Sequence, residues 1–338
     1  MTTYAYLGPE GTFTQMALAA WAPSQGAVHR PCGSVDQALA LLRSGEVDGA
    51  MVPIENSVEG GVSATLDALA SGDPLVVTAE VLVPITFVLA ARPGTPLSAV
   101  RAVGTHSHAW AQVRGWMGEH LPDAAYVPTL STASAAEGLA LHGDPDGDPD
   151  AGPDGRHGGP AAGTGHGPTT GERPAYDAAV CAPVAASNHG LEVLAEDIGD
   201  NAAAVTRFVM VARPGRLPER TGADKTTLVL FQREDHAGGL LELLEQFAVR
   251  GINMSRLESR PTKASMGSYC FSIDIEGHVL DERVGEALLG LKRVCAEVRF
   301  LGSYPAAHGA AVQVSPQTTD EAFGSARAWL RSLRAGDA

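Results

Sequence analysis

At 338 residues the chain is too long for one ordinary compact domain and suits two or three, since domains run roughly 100–200 residues. With 44% apolar residues and a formal net charge of −15, it reads as a soluble globular protein lacking the clustered Lys and Arg that nucleic-acid phosphates require. An anionic ligand must therefore find positive potential locally, from backbone N–H groups, helix N-termini or a few arginines.

No uncharged apolar run reaches the roughly 18 residues a membrane span needs, so no membrane partner is expected. The start, "MTTYAYLGPEGTF", has no basic segment leading into an apolar one, and a cytoplasmic location is expected. Cys32, Cys181, Cys270 and Cys295 are scattered, with neither a C-x-x-C pair nor clustered histidines. That pattern suits reduced thiols and argues against a disulfide framework or a zinc site.

In chain order, "TYAYLG" reads as a strand and "PEGTFTQMALAAWA" as a turn entering a helix. "SVDQALALLRSGEVDGAMVPIENS" places Ser34 as an N-cap, a periodic helix to Leu42, a stop at Gly45 and a strand "DGAMVPI". The strand, polar turn and helix plan recurs in "VRAVGTHSHAWAQVRGWMGEH", "AAYVPTLSTASAAEGLAL" and "YDAAVCAPVAASNHG". Such units predict a parallel sheet covered by helices, with ligands at the carboxyl edge. The turns "GPEGTF", "ENSVEGG", "GTHSHA" and "LSTASA" carry small hydrogen-bonding residues at that edge.

From Gly143 to Arg173 the composition turns to Gly, Pro, Asp, Ala, Thr and His, which cannot bury a core and predicts a surface loop. Its His157 and His166 read as solvated. A second boundary lies near "ARPGRLPERTGADK". Beyond it, strand, helix, two strands, helix and strand follow in turn, the ferredoxin-like βαββαβ plan. The residues after 305 read as a tail with one short helix, "DEAFGSARAWLRSL".

The strings "YLGPEGTFTQMA", "VPIENSVEGGV", "STASAAEGLA", "TRF" and "RLESRPTK" occur in the order found in prephenate dehydratases, and the resemblance covers residues 4–305. It implies an α/β fold: a two-lobed, periplasmic-binding-protein-like catalytic region over 1–213, interrupted by the 143–173 insert. An ACT regulatory domain over 226–305 and a tail over 306–338 complete the implied division. The implied reaction is decarboxylative dehydration of prephenate to phenylpyruvate in phenylalanine biosynthesis, with no metal or nucleotide cofactor. The implied assembly is a homodimer or homotetramer.

The chemistry asks little of the protein, because aromaticity drives loss of carbon dioxide and the ring hydroxyl together. A positioned donor for the departing oxygen and fixed dipoles for the dianion suffice. By resemblance, Thr206 is that donor, Arg207 meets either a substrate carboxylate or a structural acid, and Phe208 packs on the ring. Thr12, Asn56, Ser57, Thr105, His106, Ser131, Thr132 and Ala133 are the further substrate contacts the resemblance implies. Helix capping alone would account for Thr12, and a structural role for His106. Where many relatives have Asn two residues before the threonine, this chain has Ala204, with Asn201 the nearest.

In the C-terminal module, Gly238, Gly239 and Leu240 at a helix start, with Glu258, Ser259 and Arg260 of "LESRP", are the implied phenylalanine site. Two alternatives stand beside this reading: the same chemistry on arogenate, and a non-catalytic two-lobed amino-acid sensor.

Overall fold

The computed structural model describes residues 1–58, 60–141, 174–262 and 269–336. The Gly143–Arg173 insert, with His157 and His166, lies outside the described residues.

The chain begins β1 (Thr3–Leu7), α1 (Phe13–Ala20), β2 (Val28–Cys32), α2 (Val35–Ser44), β3 (Gly49–Asn56), β4 (Gly60–Gly61), α3 (Ser63–Ala70) and β5 (Val76–Pro84). It continues β6 (Val88–Ala91), β7 (Ala102–Thr105), α4 (Ser107–Gln112), α5 (Arg114–His120), β8 (Ala125–Pro128), α6 (Thr132–Leu141), β9 (Ala178–Cys181), α7 (Pro183–Asn188) and β10 (Glu192–Ala195). Then come β11 (Val205–Ala212), β12 (Asp224–Phe231), α8 (Gly239–Ala248), β13 (Met254–Pro261), β14 (Tyr269–Glu276), α9 (Glu282–Val294), β15 (Glu297–Pro305) and α10 (Asp320–Ala335).

Local signals set several boundaries. The Ser34 hydroxyl accepts the Gln37 N–H and starts α2, and Gly45 ends it in the left-handed region. Val35, Ala38, Leu39 and Leu42 form one buried stripe along that helix. None of the described helices is long and apolar enough to cross a membrane.

The chain forms two compact units. The first comprises Met1–Gly8, Ala17–Val83 and Val205–Ala338, and the second Pro9–Met16 and Pro84–Ala204. In the first, a sheet of order β2-β1-β3-β11-β5, with β4 paired to β3, is mixed rather than parallel. β1 runs parallel to β2 and β3, whereas β11 lies antiparallel to β3. The strand that breaks the expected parallel order is the one carrying Thr206. In the second unit the order is β10-β6-β9-β7-β8, parallel for β7 with its two neighbours and antiparallel for β6 with its two.

The C-terminal module has the order β13-β14-β12-β15, antiparallel throughout, which is the ferredoxin-like topology. One face of its sheet buries Leu228, Leu230, Ile273 and Ile275 against Leu243 and Phe247 of α8 and Val284 and Leu291 of α9. The other face contributes Val229, Cys270, Leu301 and Tyr304 to the core that Ala38, Leu39, Val52 and Val209 also build. The module is thus part of the first unit. Gly302 of β15, at φ +123°, lies so close to the Val77 backbone that a Cβ there would overlap the Val77 carbonyl oxygen.

Candidate active site

β11 reads Val-Thr-Arg-Phe-Val-Met-Val-Ala and sits between β3 and β5, so a neighbouring strand pairs with each of its two edges. Register pairs Thr206 with Asn56 and Arg207 with Glu55, and then slips by one residue before Phe208. Thr206 is buried, and its Oγ1 accepts a hydrogen bond from Asn56 Nδ2 at 3.0 Å. The Asn56 amide is oriented by its other end, where Oδ1 accepts the Val58 N–H at 2.8 Å. A backbone N–H can only donate, so Oδ1 faces Val58 and the NH2 group must face Thr206. The Thr206 hydroxyl therefore accepts from Asn56 and keeps its own hydrogen to donate.

Ser57 clamps the end of this strand pair. Its N–H donates to the Val205 carbonyl at 2.9 Å, and its Oγ accepts the Val205 N–H at 2.9 Å. Phe208 is buried in the same strand. The approach to β11 is also fixed. Asp200 accepts the Gly115 and Trp116 N–H groups at 2.9 and 3.1 Å, and Asn201 Oδ1 accepts the Ala203 N–H at 3.0 Å. Asn201 thus spends its carbonyl oxygen on its own turn.

Arg207 goes elsewhere. Its Nε donates to Glu80 at 2.6 Å, Nη1 to Asp274 at 2.5 Å and to Glu55 at 3.2 Å, and Nη2 to Tyr304 Oη at 2.7 Å. Asp274 and Tyr304 belong to the C-terminal module, so this guanidinium takes the structural-acid alternative. Lys225 adds a second cation to Glu80 at 2.9 Å. Asp274 is fully buried and also accepts from Arg256 Nε at 2.8 Å and Thr227 Oγ1 at 2.8 Å. Burial alone would raise the Asp274 carboxyl, but Arg207 and Arg256 override it and hold it well below the usual carboxylate range. Burial likewise opposes the Arg207 charge, and Tyr304, Asp274 and Glu80 outweigh it, holding the guanidinium above its ordinary range. Burial pushes the Tyr304 phenol upward, so it stays a neutral hydrogen-bonding bridge.

Glu80, Asp274, Arg256 and Tyr304 escaped the sequence reading. Glu80 and Asp274 carry a signal, an acid inside an otherwise apolar strand as in "VTAEVLV" and "FSIDIE", because a buried charge requires a partner; Arg256 in "MSRLESRP" and Tyr304 carry none of that kind.

In the second unit, Thr12 caps α1, its Oγ1 accepting the Gln15 N–H at 3.4 Å, while Gln15 Oε1 takes the Gly11 N–H at 2.6 Å. Gly11 has φ +83°, and a Cβ there would come within 2.9 Å of Ala185 Cβ. Both facts demand glycine. Ser131 and Ser134 exchange backbone N–H to Oγ bonds at 2.9 Å and open α6. The Thr132 and Ala133 N–H groups in its first turn have no intrahelical carbonyl, as at any helix start. Ala133 is buried and offers only its backbone. His106 precedes α4 and accepts the His108 N–H at Nδ1, 3.3 Å away. Thr105 differs from expectation. It is fully buried and its hydroxyl donates to the Val180 carbonyl at 2.8 Å, so it ties β7 to β9 rather than facing a ligand.

The six expected effector residues divide between the two faces of the C-terminal sheet. Register places Ser259 beside Phe271 on the helix-covered face, and Glu258 and Arg260 beside Ser272 and Cys270 on the other. Gly238 and Gly239 begin α8, and Leu240 is partly exposed there. Arg260 donates to Asp67 at 2.8 Å and to Ser63 Oγ at 2.9 Å on α3. The Glu258 carboxylate lies over Gly61, where no Cβ would fit beside it.

Two mixed sheets, a threonine hydroxyl that accepts from Asn56 on a buried strand, and a ferredoxin-like module bonded to that strand make an α/β protein with an integral second module. A family model described as prephenate dehydratase matches residues 4–216. The chain belongs to the prephenate dehydratase family. The prephenate dehydratase of Amycolatopsis methanolica is 40% identical, over 100% of this chain and 99% of the relative. That of Mycobacterium tuberculosis strain H37Rv is 42% identical, over 99% of this chain and 95% of the relative. A crystal structure of prephenate dehydratase in complex with L-Phe, from Arthrobacter aurescens, is 52% identical with a TM-score of 0.86, covering 99% of this chain and 100% of that one.

Proposed function

We propose that the chain converts prephenate to phenylpyruvate, with Thr206 as the hydroxyl donor. The observation that carries this is the Asn56 to Thr206 bond, which leaves the threonine hydrogen available to an acceptor. In the reaction the bond from the ring to its carboxylate breaks, carbon dioxide departs, and that electron pair enters the ring. The bond from the ring to the hydroxyl breaks at the opposite carbon. Thr206 hydrogen-bonds the departing oxygen, solvent supplies the net proton, and water leaves. Asn56 strengthens the Thr206 donor by polarising its oxygen.

Within the second unit, Thr12, His106, Thr132 and the N–H groups opening α6 are the groups suited to a carboxylate. Ser57 and Phe208 shape the surroundings of Thr206. Arg207 acts as a positioning residue, because its donors are engaged by Glu55, Glu80, Asp274 and Tyr304.

The ferredoxin-like module serves as an ACT domain that binds phenylalanine through Gly238, Gly239, Leu240 and the 258–260 segment, in a cytoplasmic dimer or tetramer. The L-Phe bound to the 52% identical relative supports phenylalanine as the ligand. Purified protein is incubated with prephenate and with arogenate while phenylpyruvate and phenylalanine formation are followed. Phenylpyruvate from prephenate is expected, and a preference for arogenate would reassign the substrate.

A further inference from the structure

Both partners of the Thr206–Asn56 pair are held by the C-terminal module. On the Thr206 side, the adjacent Arg207 is bound by Asp274 of β14. On the Asn56 side, β4 pairs with the end of β3, Gly61 opposite Glu55 and Gly60 opposite Asn56, and the Glu258 carboxylate of β13 rests on Gly61.

Arg256 joins the two holds. It is buried, lies opposite Asp274 in register, and binds that carboxylate through Nε at 2.8 Å and Nη2 at 3.1 Å. Its Nη1 is 3.5 Å from Glu258 Oε1 and, although buried, has no hydrogen-bond partner among the described residues. Charges therefore alternate along Glu258, Arg256, Asp274 and Arg207, ending one residue from Thr206. The weakest link is the one between Arg256 and Glu258.

We infer that Arg256 is the positioning residue through which occupancy of the 258–260 segment reaches the Thr206–Asn56 pair. The inference rests on the proposed reading of Thr206 as donor and of the module as phenylalanine-binding. An effector ammonium that draws the Glu258 carboxylate toward itself lifts it from Gly61 and from Arg256 Nη1. The β3–β4 hairpin is then released on one side, and Arg256 regroups around Asp274, the anchor of Arg207, on the other. One carboxylate movement thus reaches both members of the pair. A buried donor without a partner marks where such a change costs least, since no hydrogen bond must be broken there.

The test uses the full chain and three readouts: kcat and KM for prephenate, phenylalanine binding by equilibrium dialysis, and the change in kcat on adding phenylalanine. Arg256→Gln is expected to keep phenylalanine affinity within about threefold of the parent while its rate response, taken relative to its own basal kcat, falls about tenfold, as for a lost coupling. Arg256→Lys keeps the charge but not the fork and is expected to lose the response partially. It carries the test should the Gln variant fail to fold. A variant that responds like the parent overturns the inference, and so does one that loses its response because it no longer binds phenylalanine. A parent chain that neither converts prephenate nor binds phenylalanine overturns the functional reading itself, and this inference with it.

Discussion

Asn56 and Thr206 stand 150 residues apart in sequence and meet across β3 and β11, the asparagine amide donating to the threonine hydroxyl at 3.0 Å. Removing the hydroxyl with Thr206→Ala is expected to lower kcat about 10²- to 10³-fold, the usual cost of losing one preorganised donor to a developing oxyanion. KM should change far less. Asn56→Asp tests orientation, because a carboxylate accepts the threonine hydrogen and turns it inward. Steady-state kinetics should show a fall approaching that of Thr206→Ala, with Thr206→Ser retaining most activity. Near-parent rates for Asn56→Asp would remove the amide from the mechanism.

Thr105 supplies the contrast. Its hydroxyl satisfies the Val180 carbonyl inside a closed core, so Thr105→Val should destabilise the fold by about 1–3 kcal/mol through one unpaired buried acceptor. Urea denaturation should show that loss while kcat below the unfolding range stays near the parent value. A large kcat defect in folded protein would return Thr105 to the substrate contacts.

Asp274 predicts an acid limb of stability. Its folded carboxyl lies below the ordinary value because Arg207 and Arg256 outweigh its burial. The unfolded chain thus binds more protons as pH falls. The stabilisation is complete well above the unfolded carboxylate value of about 3.9, from about pH 5 upward, and declines as pH drops from about 5 toward 2. Urea midpoints measured across that range should fall with pH, and Asp274→Asn should have a lower midpoint at neutral pH and a shallower slope. An unchanged slope would assign the acid sensitivity to other carboxylates.

Gly302 controls how the module seats on the first sheet. With φ +123° and the Val77 backbone against it, Gly302→Ala adds both backbone strain and overlap. A destabilisation of about 2–4 kcal/mol is expected from left-handed strain plus overpacking. Thermal unfolding measures it, and a loss under about 1 kcal/mol would mean that the two strands part at little cost.

Much of this architecture is legible along the chain because its signals are local. Ser34 and Gly45 delimit a helix by capping chemistry, and alternating patterns separate the four strands of the C-terminal module. The direction of β11 is not legible. "VTRFVMVA" has the same apolar character whether it runs parallel or antiparallel, and only the return of the chain to β3 decides. The same holds for Arg207. Its charge in a buried strand announces a partner, but Glu80 and Asp274 lie 127 and 67 residues away in sequence, and nothing local selects them over a substrate carboxylate. Thr105 shows the reverse case. A polar residue at a strand end suits a ligand edge, yet the parallel neighbour β9 supplied an acceptor first.

The position of β11 also governs the order in which a growing chain can become competent. Until residue 205 leaves the ribosome, β3 presents an unpaired edge, and at about 5–20 residues per second the 150 residues from Asn56 to Thr206 take about 8–30 s to make. The buried carboxylate that neutralises Arg207 arrives later still, since Asp274 is 67 residues further along. A ribosome-bound fragment ending before β14 would hold a completed β3–β11 pair around a cation lacking one of its counter-ions. The strand that carries Thr206 gains this partner only once β14 has been made, so the growing polypeptide passes through a long interval of exposed edge and unmatched charge in which chaperone attention is most needed.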